Sequence, residues 1–324
     1  RIMPDERWTF LNMNDRADKQ TEPYRFFGTQ EEGIVGKRDL SYDDAQIGVF
    51  DSGFGGLTVA REIMKALPHE NIIYFGDTLH CPYGPRSFDE VASFVEQIGT
   101  WLVDQGVKMI VIACNTATAA GLSLAQTKFP VPVIGVVEPG ARAAARATRN
   151  KRVGVIATKG TVESDVYTHA IRANDAGITV FATATPRFVE IAELGIQMAK
   201  GPIENYTSLA SQVYIRPEFQ EIAQDYLDPL RRCDVDTLVL GCTHFPLLKS
   251  LIGGVMGREV VLISSASEVA RDCADILSRQ GIAAQPDNEA RYEFFTSGDD
   301  IEAFRRFGTR VLRFPLDHLT HIVL

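Results

Sequence analysis

The chain has 324 residues, 45% of them hydrophobic, enough to bury the core of one large or two ordinary domains without disulfides or metal. Its 33 basic and 42 acidic residues leave a net charge of −9 with no conspicuous Lys/Arg cluster, which argues against nucleic-acid and membrane-surface partners. No apolar run approaches the ~18–20 residues that span a bilayer, the polar start RIMPDERWTF does not read as a signal peptide, and five cysteines without a C-x-x-C pair read as reduced thiols in a cytoplasmic protein.

Residues 1–46 lack sustained periodicity and read as a charged extension, with Trp8, Phe10, Phe26 and Phe27 available for docking. From Ile47 short apolar runs alternate with amphipathic helical stretches, the pattern of a parallel-sheet α/β fold. The first series of expected strands is IGVF (47–50), IIYFG (72–76), MIVIA (109–113) and VPVIGVV (131–137). A second comprises VGVIA (153–157), ITVFA (178–182), TLVLG (237–241) and EVVLIS (259–264). A helix over ASEVARDCADILSRQG, a strand at YEFFTSGD, a last helix at DDIEAFRRFG and a strand-like tail come after these.

The two series correspond strand by strand: IGVFDSG with VGVIATKG, IIYFGDT with ITVFATAT, and VIACNT with VLGCTH. Cys114 and Cys242 fall at the same place, just past the third strand of each copy, and parallel sheets bind ligands beyond the carboxyl ends of their strands. Two such units facing each other would bring both thiols into one cleft. A strand end ahead of a helix also favours a thiolate through the helix's partial positive charge.

Around these thiols stand further polar residues. FDSGFGGLT (50–58) puts Asp51 and Ser52 at a strand end before a glycine turn; a dinucleotide G-x-G-x-x-G would need glycine at Thr58, which sets a nicotinamide cofactor aside. FGDTLHCPYGPRS (75–87) carries Asp77, Cys81, Tyr83 and Gly84, and reads equally well as a plain Pro–Tyr–Gly loop. Asn115, Thr116 and Thr118 come after one cysteine and Thr243 after the other, groups suited to holding a carboxylate. His244 is a proton partner for Cys242 or a structural histidine, and CTH lacks the further ligands a zinc site needs. Glu190 and Glu193 lie at i and i+3 of a helix, and spacing does not decide between them. Lys159 leaves a pyridoxal phosphate linkage open. Two acid/base groups on opposite walls suit inversion of a carbon centre, where one face loses a proton and the other gains one.

The motifs FDSGFGGL, FGDTLHCPYG, ACNTATA, VIGVVEPG and LGCTHFPLL resemble the glutamate racemase family of the aspartate/glutamate racemase superfamily, in order and with comparable spacing from Ile47 to about Phe307. The resemblance implies cofactor-independent, metal-free interconversion of L- and D-glutamate, supplying D-glutamate for peptidoglycan. It implies Cys114 as the base acting on D-glutamate and Cys242 on L-glutamate, assisted by Asp51 on one side and by His244 with Glu193 on the other. Substrate contacts would come from Asp51, Ser52, Tyr83, Gly84, Asn115, Thr116 and Thr243, with Thr158 and Thr161 as additional contacts. It also implies two pseudo-symmetric α/β domains with the active site between them: residues 47–137 plus 259–324, and 138–258. This replaces the consecutive halves that the repeat alone indicates.

Departures from the family pattern are the long extension, Cys81, and Thr185 with Arg187. Extended family members point to UDP-N-acetylmuramoyl-L-alanine as an activator, and a homodimer is the expected assembly. Three rival readings are a thiol enzyme acting on another small acid such as aspartate or a malonate, a silent dicarboxylate-binding protein, and a cysteine-nucleophile amidase. The last leaves the second thiol without a role.

Overall fold

The structure, a computed structural model, describes residues 44–198 and 216–324. The extension's four docking aromatics therefore lie outside the described residues. Strand β1 (Ile47–Asp51) is buried along its whole length between β2 (Ile72–Gly76) and β3 (Met109–Ile112), and all strand pairs in the sheet are parallel. With β4 (Val133–Gly135), β9 (Tyr292–Thr296) and β10 (Leu319–His321) they form a six-stranded sheet of order β10-β9-β2-β1-β3-β4. A second sheet contains β5 (Arg152–Ala157), β6 (Thr179–Ala184), β7 (Thr237–Gly241) and β8 (Val261–Ile263) in the order β6-β5-β7-β8, again all parallel.

The inner order β2-β1-β3-β4 repeats as β6-β5-β7-β8, so the strand correspondence read from the sequence is a correspondence of place in the sheet. Near-continuous apolar strands are the result of this architecture, since helices cover both faces of a parallel sheet. Within the run at 259–264, Val261–Ile263 pair with β7 in the second sheet, and the next strand in the chain, β9, belongs to the first. The pairing is parallel and puts Val261–Ile263 in register with Thr237–Val239 of the buried strand β7.

Helix α1 (Leu57–Ala66) follows β1, α2 (Phe88–Asp104) follows β2 and is capped by Ser87, α3 (Asn115–Lys128) follows β3, and α4 (Val137–Ala147) follows β4 at the crossing into the second sheet. In the second sheet, β5 leads to the short α5 (Lys159–Glu163) and α6 (Val166–Asn174), and β6 leads to α7 (Arg187–Met198). Helix α8 (Pro217–Arg232) precedes β7; after β7 a 3-10 turn (Phe245–Leu248) runs into α9 (Lys249–Met256). Helix α10 (Ala266–Gln280) follows β8, and α11 (Ile301–Leu312) precedes β10. The tail expected to alternate like a strand remains helical through Leu312, because Val311 and Leu312 complete an apolar face of α11 with Phe304 and Phe307.

The largest core cluster draws on both halves: Leu57, Ile63 and Phe304 from the first-sheet side share it with Phe188, Leu240 and Phe245 from the second. Packing across the boundary fixes how the carboxyl ends of the two sheets face each other. Among the described residues no helix is long and apolar enough to cross a membrane.

Candidate active site

Asp51 ends β1 with its side chain fully buried. The glycine turn after it supplies two backbone donors to Oδ2, Gly53 N at 3.2 Å and Gly56 N at 2.9 Å, and Thr243 donates to Oδ1 from the other half at 3.4 Å. Gly55 has no side chain for a reason visible here: a Cβ would collide with the hydroxyl of Thr243 and the ring of His244. Thr58 adds a hydrogen bond to the Thr243 carbonyl at 3.0 Å. Burial raises the Asp51 carboxyl above its ordinary value, against the opposing pull of the His244 charge and the donors from Gly56, Gly53 and Thr243.

This shift fixes a sign for stability. The folded chain holds the Asp51 proton to higher pH than the unfolded chain, whose carboxyl titrates near ~3.9, so this group's contribution falls as pH rises above that value. Asp51→Asn retains an oxygen for the two glycine donors and is expected to raise Tm at pH 7 while lowering turnover. Thermal scans should show the gap closing as pH drops toward ~4; a variant less stable at pH 7 contradicts the assignment.

Cys114 caps α3, its Sγ accepting from Ala117 N at 3.4 Å and lying 3.7 Å from Ser52 Oγ. The helix terminus was expected to favour a thiolate here. Instead burial pushes the Cys114 thiol up to about 12, with the Asp51 charge adding to the rise and the Ala117 and Ser52 bonds only partly offsetting it. The resting group is a protonated thiol. Cys242 departs from the expectation differently, because β7 leads into the 3-10 turn, with Pro246 near its start, and not directly into an α-helix.

Cys242 has its own partner. Its Sγ lies 3.8 Å from His244 Nδ1, and His244 Nε2 lies 3.1 Å from Glu193 Oε1. Burial pulls the imidazole down, but the hydrogen bonds and charges of Cys242 and Glu193 outweigh it and hold His244 at about 10, protonated at neutral pH. Glu193 reaches this position from α7, while Glu190, one turn earlier, is exposed.

Both thiols line a small cavity of about 30 Å³, together with Ser52, Tyr83, Gly84, Asn115, Thr116, Thr243 and His244. Thr158 lines it too and forms a cluster of hydroxyls with Thr116 and Thr161, at 2.9 and 3.0 Å, across the two halves. Gly160 N donates to Gly84 O at 3.1 Å, a backbone link between the same two halves. Tyr83 is anchored by its hydroxyl to Asp77 Oδ2 at 2.5 Å, and Ser297 holds the other oxygen at 2.7 Å. Cys81, of undecided role from sequence, is in the lining, and burial raises its thiol beyond the ordinary range with Glu193 and Asp51 contributing.

Sequence reasoning missed Val189, which lines the cavity, and Tyr167, whose hydroxyl bonds Asn115. Neither carries a local signal, since an apolar or aromatic residue inside an amphipathic helix reads as core. Lys159 is exposed beside Glu163 and takes no part in the lining that holds the thiols. A larger cavity of about 280 Å³, lined by Arg61, Lys249 and Ser264 among others, contains neither thiol, so size does not locate the chemistry. No group of three or more His, Cys, Asp or Glu among the described residues is arranged to hold a metal ion.

Two equivalent thiols beyond corresponding strands of a duplicated parallel sheet define a class, and the sequence agrees: residues 47–273 match the profile of the Asp/Glu/Hydantoin racemase family, to which this chain belongs. Within it, the chain is 46% identical over 270 residues to the glutamate racemase of Exiguobacterium sibiricum, covering 83% of this chain and 93% of that one. The crystal structure of glutamate racemase isoform RacE1 from Bacillus anthracis superposes with a TM-score of 0.77 at 39% identity, covering 87% of this chain and 98% of that one. Escherichia coli glutamate racemase, crystallised with L-glutamate and the activator UDP-MurNAc-Ala, superposes with a TM-score of 0.68 at 29% identity, covering 86% and 98%.

Proposed function

We infer that the chain racemises glutamate, passing a proton across the α-carbon between two thiols, and so supplies D-glutamate for peptidoglycan synthesis in the cytoplasm. The observation that carries this reading is the pair of cysteines, one from each sheet, on a single cavity. Cys242, with His244 as its proton partner, takes the α-proton from L-glutamate as the C–H bond breaks; the Cys114 S–H delivers its proton to the opposite face, leaving D-glutamate. The reverse direction exchanges the two roles. Protonation of His244 and of Cys114 supports this order, because the resting site then has a cation beside one sulfur and a proton donor at the other.

The remaining groups divide between proton handling and grip. Asp51 assists Cys114, and Glu193 orients His244. Ser52, Asn115, Thr116 and Thr243, with the Tyr83–Gly84 loop, hold the substrate carboxylates. The cavity is lined from both halves, so on this reading the halves part to admit an amino acid and close again around it. On this reading each sheet with its helices is one domain, the return crossing placed after Ile263.

Circular dichroism of L-glutamate incubated with purified protein tests the reading. The signal should decay to zero, while L-aspartate keeps its signal. A flat glutamate trace with binding intact would favour the silent dicarboxylate-binding protein. The proposal includes activation by the muramoyl precursor and assembly as a homodimer; a rate unchanged by titrating the precursor, or a monomer mass by light scattering, removes either part.

A further inference from the structure

We infer that Tyr167 is a positioning residue for the substrate: its hydroxyl fixes the Asn115 amide so that the NH2 group faces the cavity. Tyr167 stands on α6, which belongs to the second sheet, and is buried; it donates to Asn115 Oδ1 at 2.7 Å across the boundary between the halves. An asparagine amide has one acceptor end and one donor end. With Oδ1 engaged by Tyr167, the donor end remains for the cavity that Asn115 lines. A carboxylate only accepts hydrogen bonds, so this orientation binds it and the flipped one repels it.

The tyrosine is suited to the task in two ways. Its hydroxyl must keep its proton, since a phenolate would accept from the NH2 group and turn the amide around; burial raises the phenol above its ordinary value. Its ring is also held in place. A Cβ at Gly241 would lie 3.0 Å from the ring, so glycine at the end of β7 lets Tyr167 rest against the strand that delivers Cys242. Because Tyr167 and Asn115 come from opposite halves, the amide is oriented only when the halves are together.

The inference rests on the reading in which Asn115 contacts the substrate, and the test separates the two. Tyr167→Phe retains the ring and deletes the donor. KM for both enantiomers is expected to rise about tenfold with kcat changed less than about twofold, because the contact is equally present in ground and transition states. In an Asn115→Ala background the same substitution should change KM by less than about twofold. If turnover of Asn115→Ala is too slow, the apparent Kd of racemic glutamate by titration calorimetry replaces KM in all four proteins. An unchanged KM in Tyr167→Phe, or the same increase in both backgrounds, overturns the role of Tyr167. A wild-type KM in Asn115→Ala overturns the underlying contact instead. Wild-type Tm in Tyr167→Phe excludes a merely structural effect.

Discussion

Replacing Cys114 or Cys242 with alanine is expected to lower the kcat of racemisation by about 10³-fold or more in both directions, at the upper end of what a positioned acid or base contributes. Loss of either thiol breaks the same path, since each direction uses one sulfur to remove the proton and the other to return it. The residual chemistry should be handed. In D2O, Cys114→Ala retains the base that faces L-glutamate and should exchange the α-proton of L-glutamate without inverting it, while Cys242→Ala should do so with D-glutamate. Proton NMR follows exchange and circular dichroism follows inversion. A variant that racemises near the wild-type rate sinks the two-thiol reading, and a variant that exchanges the wrong enantiomer reverses the assignment of faces. Both side chains are small, and both line a cavity already present, so the fold should survive the deletions.

The pairing of the thiols was legible because it depends on chain order. Apolar runs of strand length alternate with helices, two such series align, and a cysteine ends the third strand of each; the parallel fold then places both at the carboxyl ends. Features that depend on tertiary packing were not legible. Glu190 and Glu193 are equally spaced candidates on one helix, and only the approach of the 3-10 turn after β7 gives Glu193 a partner in His244. The segment at 259–264 has the same apolar character whichever sheet receives it, and its pairing with β7 is set by tertiary structure that the local sequence does not carry. Tyr167 reads as one more aromatic in an amphipathic helix until the second half folds over Asn115. The electrostatics of Cys114 misled for a related reason. A helix start is visible in sequence, whereas the burial and the nearby Asp51 charge that outweigh it are not.

The asymmetry between the two thiols yields the second large effect. His244 serves only Cys242, and no imidazole stands beside Cys114 in the cavity lining. His244→Asn keeps a polar side chain that cannot carry the proton and is expected to lower kcat/KM by about 10²- to 10³-fold. Because L- and D-glutamate are mirror images, the equilibrium constant is one, so the loss must be equal in both directions. The step that becomes slow is different in each. From L-glutamate, the slow step is removal of the proton by Cys242, so α-deuterated L-glutamate should show a full primary isotope effect. From D-glutamate, the Cys114 step comes first and return of a proton by Cys242 is slow; the substrate isotope effect should shrink and a solvent isotope effect take its place. Wild-type kcat/KM should also fall as pH rises through about 10, where His244 loses its proton, and this limb should disappear in the variant. Equal substrate isotope effects from the two enantiomers, or a basic limb that survives the substitution, would separate His244 from Cys242 and leave the histidine a structural role.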